Sequence, residues 1–353
     1  MFPKLKSILR FFLGRSRVRP RWYIQIQLSL FFTKKIKVGF GPITSGEDDL
    51  AVRKWRIDPI VDQINRTSKT YRAGVFLDLN QIDSFDLVVL VKRFHLHTID
   101  KIRSFQNKRW IYDIVDNPND EVQYRFYFLH HPEFLRLIDR FILSSPVHRK
   151  FFHGRSLLIE HPIINRGYKT DYNDSSEIKI LAQGYYENLK NLKSIERLLP
   201  PISLQLGKKV RLYYHTEAQV TETEFVRSVK WDVRSAFSFM NQCDIAIHIR
   251  NTHILHQYTK PSTKPIAFMA AGLPLICKPG PADLLVIQNQ ITGYFAFTLN
   301  DWVDRIGKLA ASARLRRQIG TAARKSVEDR FSISTITNKY LNLFDDVCFP
   351  TRS

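Results

Sequence analysis

Cysteine is scarce in this sequence. Its 353 residues include three, Cys243, Cys277 and Cys348, and no CxxC. An odd count at wide spacing argues against a disulfide framework or a structural zinc site, and fits a reducing compartment. Eleven histidines are scattered; His95-x-His97 and His130-His131 cluster, but no carboxylate or cysteine completes a ligand set. No bound metal is expected. Long apolar runs are lacking too. WYIQIQLSLFF (22–32) contains Gln25 and Gln27, and it is about half the length of a membrane-spanning helix. Arg10 interrupts the first apolar residues, RSRVRPR follows them, and no small-residue cleavage site appears. A secretory signal is therefore not expected, and the expected location is the cytoplasm. No repeat or low-complexity tract points to a solenoid or a disordered scaffold.

Acid is missing from the first 46 residues, where ten basic residues precede Glu47. The net charge of the whole chain is +21. Within this arm Leu5, Ile8, Leu9 and Phe12 share one helical face at i, i+3, i+4 and i+7. A basic amphipathic helix of this kind lies on an anionic membrane surface. The same residues also read as a disordered basic arm, or as a helix covering the body of the protein. The charge gives weak, salt-dependent attraction to nucleic acid. No recognised nucleic-acid module accompanies it, so a specific nucleic-acid partner is not expected.

What is present is an α/β succession. KIKVGFG (35–41), AGVFLDL (73–79), FDLVVLVK (85–92), RWIYDIVD (109–116), RFILSS (140–145) and SLLIEHPI (156–163) read as strands. Their apolar runs are continuous, as in parallel strands covered on both faces. Helical patterns such as 47–66 and 131–139 lie between them. After the polar stretch NRGYKTDYNDSSE (165–177) the pattern restarts. EIKILAQG (177–184), KVRLYYH (209–215), CDIAIHIR (243–250) and LPLICK (273–278) read as strands. Helices are expected over 189–199, stopped by Pro200 and Pro201, and over 235–242, 264–272, 301–325 and 332–347. The expected layout is a basic arm (1–34), a first Rossmann-like domain (35–165), a linker (166–177), a second Rossmann-like domain (178–331) and a closing helix and tail (332–353), with a cleft between the domains.

The segment KPSTKPIAFMAAGLPLI (260–276) carries the most chemical information. Lys260, Ser262, Thr263 and Lys264 lead into a helix start, where unpaired N–H groups and the dipole favour an anion such as a diphosphate. The same residues also read as an N-cap with solvated lysines. In the first half, Asp113 and Asp116 end a strand, where open α/β sheets bind ligands. Acids there also cap loops.

The helix, MAAGLP and apolar strand resemble the C-terminal domain of retaining family 4 glycosyltransferases, whose Glu-x7-Glu motif runs into an AxGxP turn. CDIAIHIR, ILAQGYYENLKNLKSIERLL, ITGYF (291–295) and LAASARLRRQIGTAARKSVEDRFS are similar to neighbouring stretches of that family, and the KPSTK spelling resembles a divergent branch of it. The resemblance covers about residues 36–345. It implies the GT-B architecture, two Rossmann-like domains with a cleft, and a nucleoside-diphosphate sugar as substrate with no further cofactor. It also implies an unknown glycan or lipid-linked acceptor. Carried over residue by residue, Gly184 and Lys190 match the glycine and phosphate-binding lysine that open the nucleotide domain. Tyr185 replaces the arginine usual there. The two motif glutamates fall on Thr259 and Ala267, and alanine cannot hold ribose hydroxyls. Ser262, Thr263 and Lys264 are suited to the diphosphate, and Asp116 and His161 to the first-domain acid and histidine near the donor sugar.

Overall fold

The computed structural model describes residues 30, 33–42, 52–92, 96–105, 107–115, 132–150, 152, 154–163, 167–232 and 236–350. Almost all of the basic arm, and Asp116, lie outside these residues. The chain divides into two units. Unit 1 holds residues 1–143, 152–159 and 337–353; unit 2 holds 144–151 and 160–336.

Unit 1 is built on six parallel strands, β1 (Ile36–Gly41), β2 (Tyr71–Val75), β3 (Leu87–Val91), β4 (Arg109–Ile114), β5 (Arg140–Leu143) and β6 (Ser156–Leu158). They lie in the order β2-β1-β3-β4-β5-β6. Every residue of β3 is buried, which explains its unbroken LVVLV. β2 starts earlier and ends earlier than expected, because the chain after Val75 turns into a 3-10 helix at Leu79–Ser84. β6 is three residues rather than eight, and the chain from Ile159 runs on irregularly. Helices α1 (Asp58–Thr67), α2 (Leu96–Ser104) and α3 (Pro132–Leu137) connect strands, and a π-helical turn, Arg53–Ile57, precedes α1.

Unit 2 has strands β7 (Glu177–Gln183), β8 (Lys209–Thr216), β9 (Val226–Lys230), β10 (Ile245–Ile249), β11 (Leu275–Lys278) and β12 (Tyr294–Phe295), all parallel. Their order is β12-β11-β10-β7-β8-β9. Counted from β7, this is the 3-2-1-4-5-6 arrangement of a nucleotide-binding Rossmann sheet. The helices are α4 (Tyr186–Leu189), α5 (Lys193–Glu196), α6 (Leu199–Leu206), α7 (Ala236–Gln242), α8 (Leu255–Tyr258), α9 (Thr263–Ala270), α10 (Leu299–Ala311) and α11 (Ala313–Phe331). Pro200 and Pro201 open α6 instead of ending a helix. First-turn N–H groups have no intrahelical partner, so proline loses nothing there. The stretch 301–325, where one or two helices are expected, holds α10 and α11. Thr298 caps the first with a capping box and Ser312 caps the second.

Residues 169–173, inside the segment read as a linker, are tied to unit 2. The Tyr172 hydroxyl donates to the Gly272 carbonyl at 2.6 Å, and the Lys169 N–H to Ala271 at 2.9 Å. Buried Arg316 donates to the carbonyls of Leu309, Ala310 and Asn173, so it closes the end of α10 and holds the same segment. Gly272 follows α9 at φ +75°, a left-handed turn that favours glycine.

The last helix, α12 (Ile333–Cys348), supplies unit 1 with Tyr340 and Phe344. Their rings meet Phe40 at 6.0 and 6.2 Å. Tyr340 also donates its hydroxyl to Asp113. Asp113 takes both arms of the Arg56 guanidinium at 3.0 Å, and all three side chains are buried. The strand-end acid is thus neither a loop cap nor an open ligand group. It is the acceptor at the centre of a closed core network. Among the described residues, no helix is long and apolar enough to cross a membrane.

Candidate functional site

The strand order of unit 2 reverses between β7 and β10, and ligands of open α/β sheets bind beyond the strand C-termini at such a point. β7 ends there in Gln183 and Gly184, β8 in Thr216 and Glu217, and β10 in Ile249 and Arg250. Gln183 pairs in register with His215. Ala246 pairs with Leu181, so His248 lies level with Gln183 two residues further on. The sheet therefore presents His248, Gln183 and His215 as one row across the switch point.

Lys264 comes to this row from the first turn of α9. Gly184 has φ +145°, and a Cβ there would collide with Lys264 Nζ. The missing side chain is what lets the amine reach the strand end. Burial, then repulsion from Lys260 and Arg250, brings the Lys264 amine down to about 7, with Glu217 opposing the shift. No ion pair within 4.0 Å is formed by Lys264 among the described residues. Two of the sequence-predicted residues, Gly184 and Lys264, are thereby in direct apposition.

The loop leading into α9 is fixed by a network the sequence does not reveal. Arg250 donates to both oxygens of Asp283 at 2.8 and 3.1 Å and to the Pro261 carbonyl at 2.6 Å. Asp283 also accepts from Ser262 Oγ at 2.7 Å and from the Gly280 N–H at 2.8 Å. Burial works against the ionised Asp283 carboxyl, but Arg250 holds it below the usual range. Ser262 is therefore buried with its hydroxyl turned to Asp283. It stands at the N-cap of α9 without a side-chain cap bond, and Thr263 begins the helix. The donors at that end are thus not taken by a capping side chain.

Lys190 lies in the 3-10 turn after α4, half exposed, with its amine 2.5 Å from Glu187. His161 is buried in the irregular segment after β6, within unit 2. Thr259 is buried just before the α9 loop, and Ala267 is half-buried on α9. Gln183, His215 and Glu217 were not singled out from the sequence. Their only signal is a polar residue at the end of each apolar strand, as in LAQG and YYHTE. Burial holds the His215 imidazole down to about 4 and that of His248 to about 3, so both are neutral at pH 7. A cavity of about 290 Å³ opens beside Arg250, walled by Ile195, Ile249, Phe297, Trp302, Asn251 and Lys278 among others. Among the described residues no cluster of His, Cys, Asp and Glu could hold a metal.

Two units of this kind, each a parallel sheet with its own switch point, give the chain a two-Rossmann-domain α/β fold. Solved structures share it. TarM, a Staphylococcus aureus protein, matches with a TM-score of 0.57 and 14% identity over 81% of this chain. The match covers 57% of TarM, so the chain spans little more than half its length. HepE from Anabaena, in complex with UDP and glucose, matches with a TM-score of 0.60 and 11% identity, over 88% of this chain and all of HepE. A glycosyltransferase from Rickettsia africae matches with a TM-score of 0.60 and 14% identity, over 90% of this chain and all of that one. No protein-family model and no curated protein matches the chain.

Proposed function

We propose that the chain is a glycosyltransferase. It moves a sugar from a nucleoside-diphosphate sugar to a glycan or lipid-linked acceptor, in the cytoplasm, with retention and without a metal. The observation that carries this reading is the Lys264 amine. It is half-buried at the switch point of a Rossmann sheet, above a glycine and at the uncapped start of α9. An anion there would meet a charged donor and helix N–H groups together. As a glycosidic bond breaks, charge grows on the leaving diphosphate, and donors already in place stabilise it without reorganising. Lys264, Thr263 and the α9 start form the inner part of this site. Lys190 adds an outer charge, Ser262 holds the loop, and Gly184 provides the space. Asp116 and His161 are the residues proposed to serve the donor sugar. The UDP and glucose bound to HepE support the choice of ligand class. The basic arm is proposed to bring the enzyme to anionic membranes.

A second reading, a binding module of the same fold without turnover, draws on Ala267 and Tyr185, where family 4 carries acidic and basic residues. A thermal-shift panel of nucleoside diphosphates and nucleotide sugars tests ligand class; a ligand at a hundred times its Kd adds about 2.7 kcal/mol. Release of nucleoside diphosphate from a stabilising sugar donor, dependent on acceptor, supports the transferase. Stabilisation without turnover supports the binding module, and no stabilisation by any member contradicts both.

A further inference from the structure

Glu217 stands at the C-terminal end of β8, the strand beside β7 on the side away from β10. In the 3-2-1-4-5-6 arrangement this is the end of the second strand, the place from which an acidic side chain reaches ribose hydroxyls in dinucleotide-binding Rossmann domains. The carboxylate is exposed and held in a fixed direction. The Tyr186 N–H donates to both its oxygens at 3.1 and 3.2 Å, and Thr216 Oγ1 donates to Oε2 at 2.7 Å. A carboxylate has about four acceptor sites, so these three bonds leave room for about one more donor.

The charge of Glu217 fits a hydroxyl donor rather than a second phosphate. These same hydrogen bonds offset its partial burial and, with Lys264 acting on it, keep it ionised below the usual carboxylate range. The turn after Gly184 is already engaged by this carboxylate through Tyr186, so a ligand phosphate is directed to Lys264. An acceptor-only group next to a diphosphate-binding amine matches a ligand whose phosphate is followed by vicinal hydroxyls.

We infer that Glu217 accepts a hydrogen bond from a ribose hydroxyl of the bound nucleotide and thereby selects ribonucleotides. The inference rests on the nucleoside-diphosphate reading of the unit 2 switch point. Its test is calorimetric titration of UDP and GDP, each with its 2′-deoxy form, and of pyrophosphate, into the full chain and into Glu217→Gln. Gln can still accept from Tyr186, and the exposed position leaves the fold intact, which a melting curve checks. The full chain is expected to prefer the ribose form of the nucleotide it binds by about ten- to a hundredfold. Glu217→Gln, which replaces a charge-assisted acceptor by a neutral amide, should lower that ratio while pyrophosphate affinity stays equal or rises. A ribose-to-deoxyribose ratio unchanged by the substitution overturns the ribose role while leaving the diphosphate site standing. If neither UDP, GDP nor pyrophosphate binds the full chain, the nucleotide reading falls, and this inference with it.

Discussion

Unit 1 and unit 2 both carry charged side chains to the ends of parallel strands, and they dispose of them in opposite ways. In unit 1, Asp113 at the end of β4 is saturated by Arg56 and Tyr340, and Arg56 donates further to the Ile159 carbonyl at 3.1 Å. In unit 2, Lys264 reaches the end of β7 with Glu217 as the favourable charge acting on it and no salt bridge among the described residues. Both arrangements follow one rule. A buried charge needs compensation. For Asp113 the fold supplies it, as it does for Arg250 and Asp283 in unit 2, whereas for Lys264 it is left to a ligand or to loss of the proton. A paired network marks structure; an unpaired amine beside a glycine marks a place made for something else.

The sharpest break in this comparison comes from removing the acceptor in unit 1. Asp113→Ala strands a buried guanidinium and should destabilise unit 1 by about 3–5 kcal/mol, read by denaturant unfolding. Diphosphate affinity in folded protein should be unaffected. Lys264→Ala should do the reverse. It should weaken nucleoside-diphosphate binding by about ten- to a hundredfold, equivalent to about 1.5–3 kcal/mol, with no loss of stability at pH 7. Unchanged affinity in calorimetry would remove Lys264 from the site.

Gly184→Ala sharpens the geometry. It forces a side chain into a φ of +145° and against the Lys264 amine, so a destabilisation of about 1–3 kcal/mol is expected, along with weaker binding. Wild-type affinity in that variant would mean that Lys264 does not act from above the glycine. The smallest effect belongs to Lys190→Ala. An exposed lysine paired with Glu187 contributes about 0.2–1 kcal/mol, and the loss of diphosphate affinity should stay within about fivefold. A larger loss would move Lys190 into the inner site.

The alternation of elements was legible because buried parallel strands such as LVVLV leave continuous apolar runs. β9 was not, since VRSVK is half-covered and carries two basic residues; nor was β12, two residues long. The diproline at 200–201 marks a helix boundary, but sequence alone does not say on which side of it the helix lies. The lysine-rich loop at 260–264 was visible as an anion motif. Its support was not. Arg250 and Asp283 are 33 residues apart and meet only when β10 and the loop after β11 align. The role of Asp113 is hidden in the sequence for the same reason, because its partners come from residue 56 and residue 340.

The central claim, that the Lys264 amine is an anion receptor, makes a prediction in protons. Its folded value near 7 lies below the ordinary 10.5. Between those limits the unfolded chain holds the proton and the folded chain does not, so this group's contribution to stability rises with pH over that window. A bound diphosphate favours the charged amine and should draw the proton back. Titration of UDP and GDP at pH 8, in two buffers of different ionisation enthalpy, should show uptake of close to one proton by the full chain for whichever binds, and less by Lys264→Arg, which stays charged throughout. Binding with no difference in proton uptake between the full chain and Lys264→Arg would contradict the account.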